Sequence, residues 1–275
     1  GGEAYFRLQS TRGEDILDTL SARVELNKVG EILRLYCKAL TGRILSVQTT
    51  AALTEKGIGW VDQARASTEG TTIFLPEVME RYHLKEDNFA AIKVFATHQA
   101  ARLEFGSFDF VFDKPGVILG DSRSAIAAEQ GEVQTATDVE RFFDLFPDRK
   151  LASDLFTVAE DARIDSLIRR EYGGIRRSLM KMQKAALEVR PEVTSLPMRE
   201  AFVENLVRAS LDGDEAVLWP RSRPDYQLVG QALGLLEQIE APGASIEDTA
   251  EATMRPYKMA ISSANVMNAG DGEGE

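Results

Sequence analysis

The chain has 275 residues, 44% of them apolar, a net charge of -12 and one cysteine. That is enough chain and apolar mass for one large domain or two modest ones, and the acidity argues against a general nucleic-acid binder or attachment to an anionic membrane. A single cysteine excludes an intrachain disulfide and a thiolate metal cluster. No run approaches the roughly 18 apolar residues of a spanning helix, and no signal-peptide pattern opens the sequence, so a cytoplasmic protein is expected.

EDILDTLSARVELNKVGEILRLYCKALTG predicts a helix, with Leu17, Leu20, Val24, Ile32, Leu35 and Leu40 at spacings near 3.6 and Gly42 as its stop. Cys37 falls among its apolar residues and reads as a small core side chain. RILSVQT alternates apolar and polar residues and predicts a strand. WVDQARASTEG reads as a loop, TTIFLP as a second strand ended by Pro76, and EVMERYHL as a short helical turn. EDNFAAIKVFATHQAARLEFGSF is the clearest helix. Asn88 or Asp87 is its expected cap, Gly106 its stop, and apolar groups surround it. FVFDKPGVILGDSRSAIAAEQGE, with its Pro and Gly, reads as a loop or excursion.

From Asp138 the pattern is helical almost throughout. VERFFDLF, LASDLFTVAEDARIDSLIRREYGG, IRRSLMKMQKAALEVR, PMREAFVENLVRASLDG and DYQLVGQALGLLEQIEA are successive helices. SIEDTAEATMRPYKMAISSA is a weaker last one, broken near Pro256. The expected fold is mainly α (α+β), a single helical domain over 1-265 with a small β element in its first third. NAGDGEGE has linker composition, so 266-275 reads as an acidic flexible linker.

Two stretches bear on chemistry. A zinc-protease helix carries histidines at i and i+4, which one turn places on one face, and a glutamate after the first that polarises water. In FATHQAARLEFGSF, His98 holds the first position, Gln99 stands in place of the glutamate and Arg102 in place of the second histidine. An amide has no basic site at neutral pH, and a guanidinium stays protonated, so base and second ligand are both missing. A lone histidine on an apolar helix reads as a core residue. The only other one, His83, belongs to a separate turn. The second stretch is AEDARIDSLIRREYGGIRR. Glu160 and Arg163 lie on one helix face, and Asp161, Asp165 and Arg169 on the next. Such charges ordinarily form a solvated surface; a buried acid among them needs a partner.

The two stretches in this order resemble the NorD and CbbO family of activation proteins. His98, Gln99, Glu104, Phe105, Gly106 and Phe108 match its histidine-glutamine helix and the Glu-Phe-Gly-Thr-Phe end. Glu160, Asp161, Arg163, Ile164, Asp165, Tyr172 and Gly174 match its acidic-arginine helix, and LYCKALTGRILSV its strand-entry segment. The likeness spans roughly residues 30 to 180. It departs at Arg102, where the family commonly has a second histidine. It implies a degenerate zincin-like helix pair and a region that precedes a VWA domain, acting beside a MoxR-type AAA+ ATPase to activate or remodel a target enzyme. No Asp-x-Ser-x-Ser adhesion motif occurs in the chain.

Three readings follow. In the first, the chain is a non-catalytic adaptor with no catalytic residue, metal or cofactor. Arg102 then pairs with Glu160, Asp161 or Asp165, a guanidinium replacing the cation of a zincin. In the second it is a zinc hydrolase with unusual ligands, His98 and Glu160 with His83 or Asp165, and Glu104 or Asp161 as base. In the third it is a generic helical interaction domain, for which Trp60 and Trp219 are possible partner anchors or core edges. No P-loop is present, so no ATPase activity is expected.

Overall fold

The computed structural model describes residues 21-50, 71-130 and 137-267. The chain is mainly α, with nine α-helices and two small strand pairs among these residues. The described residues fall into two compact units, 21-50 with 71-100 and 101-130 with 137-267. No helix among them is long and apolar enough to cross a membrane.

The first unit begins with β1 (Val24–Glu25) and α1 (Leu26–Thr41). Leu26, Leu33 and Cys37 are the buried residues of α1. Gly42 ends it at φ 67°, a left-handed conformation that suits glycine. The predicted helix began further back; the chain up to residue 20 lies outside the described residues, and Val24 and Glu25 form a strand instead. β2 (Ser46–Thr49) runs parallel to β3 (Thr72–Leu75), in the register Val47 to Ile73 and Gln48 to Phe74. β4 (Val78–Met79) pairs antiparallel with β1, Val24 opposite Met79. The helical turn expected at EVMERYHL is replaced by this ribbon, because pairing with β1 buries Met79.

α2 (Lys85–Glu104) contributes its residues up to Ala100 to the first unit and the rest to the second. Ala91, Ile92, Ala96 and Ala100 are buried, so the helix is enclosed on several sides. Asn88, expected as a cap, lies inside the first turn and is fully buried. Its carboxamide accepts from Arg81 N–H and Tyr82 N–H at 2.8 and 2.9 Å and donates to the carbonyls of Ala22 and Tyr82, both at 2.7 Å.

The second unit holds α3 (Arg123–Gln130), α4 (Asp138–Phe143), α5 (Arg149–Glu171), α6 (Arg176–Glu188), α7 (Met198–Asp212), α8 (Pro224–Ile239) and α9 (Ile246–Ser262). α9 packs along α5, and α7 and α8 also pack on α5. Side-chain caps mark three starts: Thr137 accepts from Glu140 N–H, Asp148 from Leu151 N–H, and Ser245 forms a capping box with Asp248. Phe142 sits in an aromatic cluster with Phe110, Phe143, Phe146 and Phe156 at centroid distances of 5.1–5.8 Å.

Two further expectations fail here. The excursion at 110-132 contains α3, and α9 runs through Pro256 without breaking. An interior proline costs about 3 kcal/mol. Burial of Met254, Tyr257 and Ala260 around it offsets that cost. Trp219 is buried beside Phe202 under Arg223, a core position that leaves it no face for a partner; Trp60 lies outside the described residues.

Candidate functional site

The half-buried Gln99 is taken up by backbone. Phe74 N–H donates to its Oε1 at 2.7 Å, and its Nε2 donates to the Phe74 carbonyl. A carboxamide alone among short side chains offers one acceptor and one donor in this geometry. It serves as a one-residue strand on the outer edge of β3. A glutamate at this position would meet the Phe74 carbonyl with a second acceptor. His98, next to it, is half-buried in the first unit, and His83 is exposed.

Past Ala100 the helix belongs to the second unit, and its end docks on α5. Arg102 forms an ion pair with Asp161 through Nη2. Burial works to lower the Arg102 pKa, but the charges of Asp161 and Glu160 outweigh it and hold the guanidinium above its usual range. Tyr172, at the end of α5, donates its hydroxyl to Glu104, and its ring lies 5.8 Å from that of Phe105.

Glu160 and Arg163 are both buried to 2% exposure, against the expectation of a solvated face. They form a two-pronged pair, Nε to Oε2 at 2.9 Å and Nη2 to Oε1 at 2.6 Å. Ser107 and Thr249 donate their hydroxyls to the same carboxylate. The rest of the guanidinium reaches two chain carbonyls, Phe105 at 3.1 Å and Ala244 at 3.3 Å. Asp165 accepts from Gln183 Nε2 of α6 at 2.7 Å. Glu104, Phe105 and Ser107 of the first motif thus meet Glu160, Arg163 and Tyr172 of the second.

These groups do not suit a divalent cation. Arg102 brings a fixed positive charge to the second-ligand position, Gln99 is bound to Phe74, and Glu160 is saturated by Arg163, Ser107 and Thr249. Among the described residues no three His, Cys, Asp or Glu side chains are grouped to hold a metal ion.

A second constellation went unread in the sequence. Glu247, Asp248 and Glu251, all on the first two turns of α9, are buried to 5% exposure or less. Each holds main chain of the 111-123 segment. Asp248 accepts from Val117, Ile118 and Leu119 N–H at 3.1, 2.7 and 2.9 Å, besides its cap bond from Ser245 N–H. Glu251 accepts from Ser122 N–H at 2.8 Å and from Arg123 Nη1 at 2.7 Å. Glu247 accepts from Val111 N–H at 3.3 Å and Lys114 Nζ at 3.1 Å. Burial pushes the Asp248 pKa up, but the backbone N–H groups of Ser245, Leu119, Ile118 and Val117 prevail and hold it below the usual aspartate range. Gly116 is required beside this grip, since a Cβ there would stand 2.5 Å from Asp248 Oδ1. The Ser-x-x-Asp capping box at 245-248 and the Pro115-Gly116 turn were the available signals.

Comparison with protein-family models, curated proteins and solved structures gives no match to this chain.

Proposed function

We propose that the chain is a non-catalytic adaptor or scaffold region of the NorD and CbbO kind, acting with a MoxR-type AAA+ ATPase to activate or remodel a target enzyme. The observation that carries the reading is the Arg102–Asp161 pair. Where a zincin ties two helices through a metal ion, an arginine and an aspartate tie α2 to α5. The Gln99 carboxamide, engaged by Phe74, supports it further, since the position of a general base is given to strand closure. The matching of the two motifs, residue against residue, is what a retained frame without its chemistry requires.

The test has two arms. Purified chain is mixed with a MoxR-type ATPase from the same genome, and binding and ATP hydrolysis are measured. Saturable binding with a changed hydrolysis rate is expected. Metal analysis of the same protein is expected to find no stoichiometric zinc. Zinc at one per chain, lost in His98→Ala, would favour the hydrolase reading instead. No binding to the ATPase would remove the adaptor reading.

A further inference from the structure

The strand pair of the first unit has two outer edges with different fates. Phe74 directs both N–H and C=O at Gln99, so its neighbours Ile73 and Leu75 face β2. In a parallel ladder alternate residues of each strand face the partner. Gln48 stands opposite Phe74, and Ser46 N–H donates to the Thr71 carbonyl at 2.6 Å. Ser46 and Gln48 therefore face β3. Val47 directs its N–H and C=O, and Thr49 its N–H, the other way, where no described main-chain group meets them. The β3 edge is closed by a side chain; the β2 edge carries neither Pro nor Lys, the residues that ordinarily guard one.

That open edge forms one wall of a groove of about 440 Å³ within the first unit. The β1–β4 ribbon contributes Glu25 and Val78 to its lining, the turn before β4 Glu77, and α1 Gly30 and Glu31. Gly30 stands inside α1, one turn from its start, where glycine costs up to about 1 kcal/mol relative to alanine. A Cβ there would touch only Leu26 Cδ1, at 3.9 Å, so no crowding within the described fold accounts for the glycine. It widens the groove. The charges lining it are unequal. Glu31 is held by Arg34 at 2.5–2.9 Å, and Glu25 by Arg23 at 3.7 Å and Lys28 at 3.8 Å. Glu77 has no ion pair with a described residue, which leaves one carboxylate uncompensated on the wall.

We propose that this groove takes an extended segment of a partner polypeptide, which adds to β2 as a further strand through the backbone of Val47 and Thr49 and sets a basic side chain by Glu77. An unpaired strand edge recognises main chain, and the pockets beside it read alternate side chains. The proposal concerns a different face of the first unit from Gln99 and stands apart from the adaptor reading.

The probe is a fluorescein-labelled hexapeptide, Lys-Thr-Val-Thr-Val-Lys, titrated against the whole chain by anisotropy, with amide hydrogen exchange followed alongside. Saturable binding is expected, together with at least about tenfold slower exchange at Val47 and Thr49. Val47→Pro removes a donor that β3 does not use and is expected to weaken binding at least about tenfold with the fold retained by circular dichroism. Gly30→Leu fills the groove on a helix it also favours and is expected to weaken binding equally, which decides the matter if Val47→Pro misfolds. Glu77→Lys is expected to weaken it several-fold. Three results would overturn the proposal. One is no binding, or binding indifferent to Val47→Pro and Gly30→Leu. Another is exchange at Val47 and Thr49 in the free chain already as slow as at Ile73, which would mean that the chain itself fills the edge. The last is a dimer that Val47→Pro dissociates, which would make a second copy the occupant.

Discussion

Arg102 and Asp161 face each other from two helices and close an ion pair where a metal helix would carry its second ligand. The charges around Arg102 all come from α5, with Glu160 and Asp165 adding to Asp161. The pair is partly open to water, with side-chain exposures of 21% and 42%, so its strength is that of a sheltered surface pair rather than a buried one.

A double-mutant cycle with Arg102→Met and Asp161→Asn is expected to give a coupling of about 1 kcal/mol by urea unfolding, falling in high salt. A coupling of zero would deny the pair any part in joining α2 to α5.

Gln99→Glu is expected to destabilise the chain by about 1–3 kcal/mol near neutral pH, because a carboxylate would face the Phe74 carbonyl. The sign with pH is distinctive. That carboxyl would titrate above its unfolded value, so the penalty exists while it is ionised and disappears once it is protonated and can donate. Thermal unfolding of the variant and the parent should converge as the pH falls toward 4.

Asp248→Asn is expected to cost about 2–4 kcal/mol, since an amide group would be turned toward main-chain N–H donors. The folded pKa of Asp248 is lowered, so its contribution is present above the ordinary aspartate pKa of about 3.9 and is lost as the pH falls through the folded value. The stability gap to the variant should stay level near neutrality and narrow below about pH 4. Gly116→Ala should disturb the same grip by about 1–3 kcal/mol. Urea unfolding across pH measures both.

Cys37 is fully buried, and burial raises its thiol pKa to about 11. The native chain should therefore resist a thiol reagent at pH 8 and react promptly once unfolded. Fast native labelling would show that the first unit opens locally.

The helices from Asp138 onward were legible because their apolar residues recur at one period, as Leu151, Leu155 and Val158 do on α5. Strands β2 and β3 were legible from β-branched residues and Pro76, but their parallel pairing depends on packing across intervening chain. Glu160 and Arg163 looked like surface charges, since nothing local marks Ser107, Thr249 and Ala244 as their distant partners. The proposed guanidinium partner was narrowed to three acids, and the structure selects Asp161 among them. Gln99 was read for the base it is not; its engagement with Phe74, a backbone partner, leaves no trace in residue type. The acids of α9 were missed for the same reason, as carboxylates that bind main chain impose no residue pattern on the segment they hold.

That last property has an evolutionary consequence. Asp248 grips the peptide groups of Val117, Ile118 and Leu119, while the side chains of Val117 and Ile118 stand 65% and 40% exposed. Substitutions at these two positions change the outward display and leave the anchoring intact. Gly116 is pinned by its surroundings, Leu119 packs against the core, and Gly120 holds a positive φ of 78°. Positions 117 and 118 are thus a display that can be rewritten at little cost to folding.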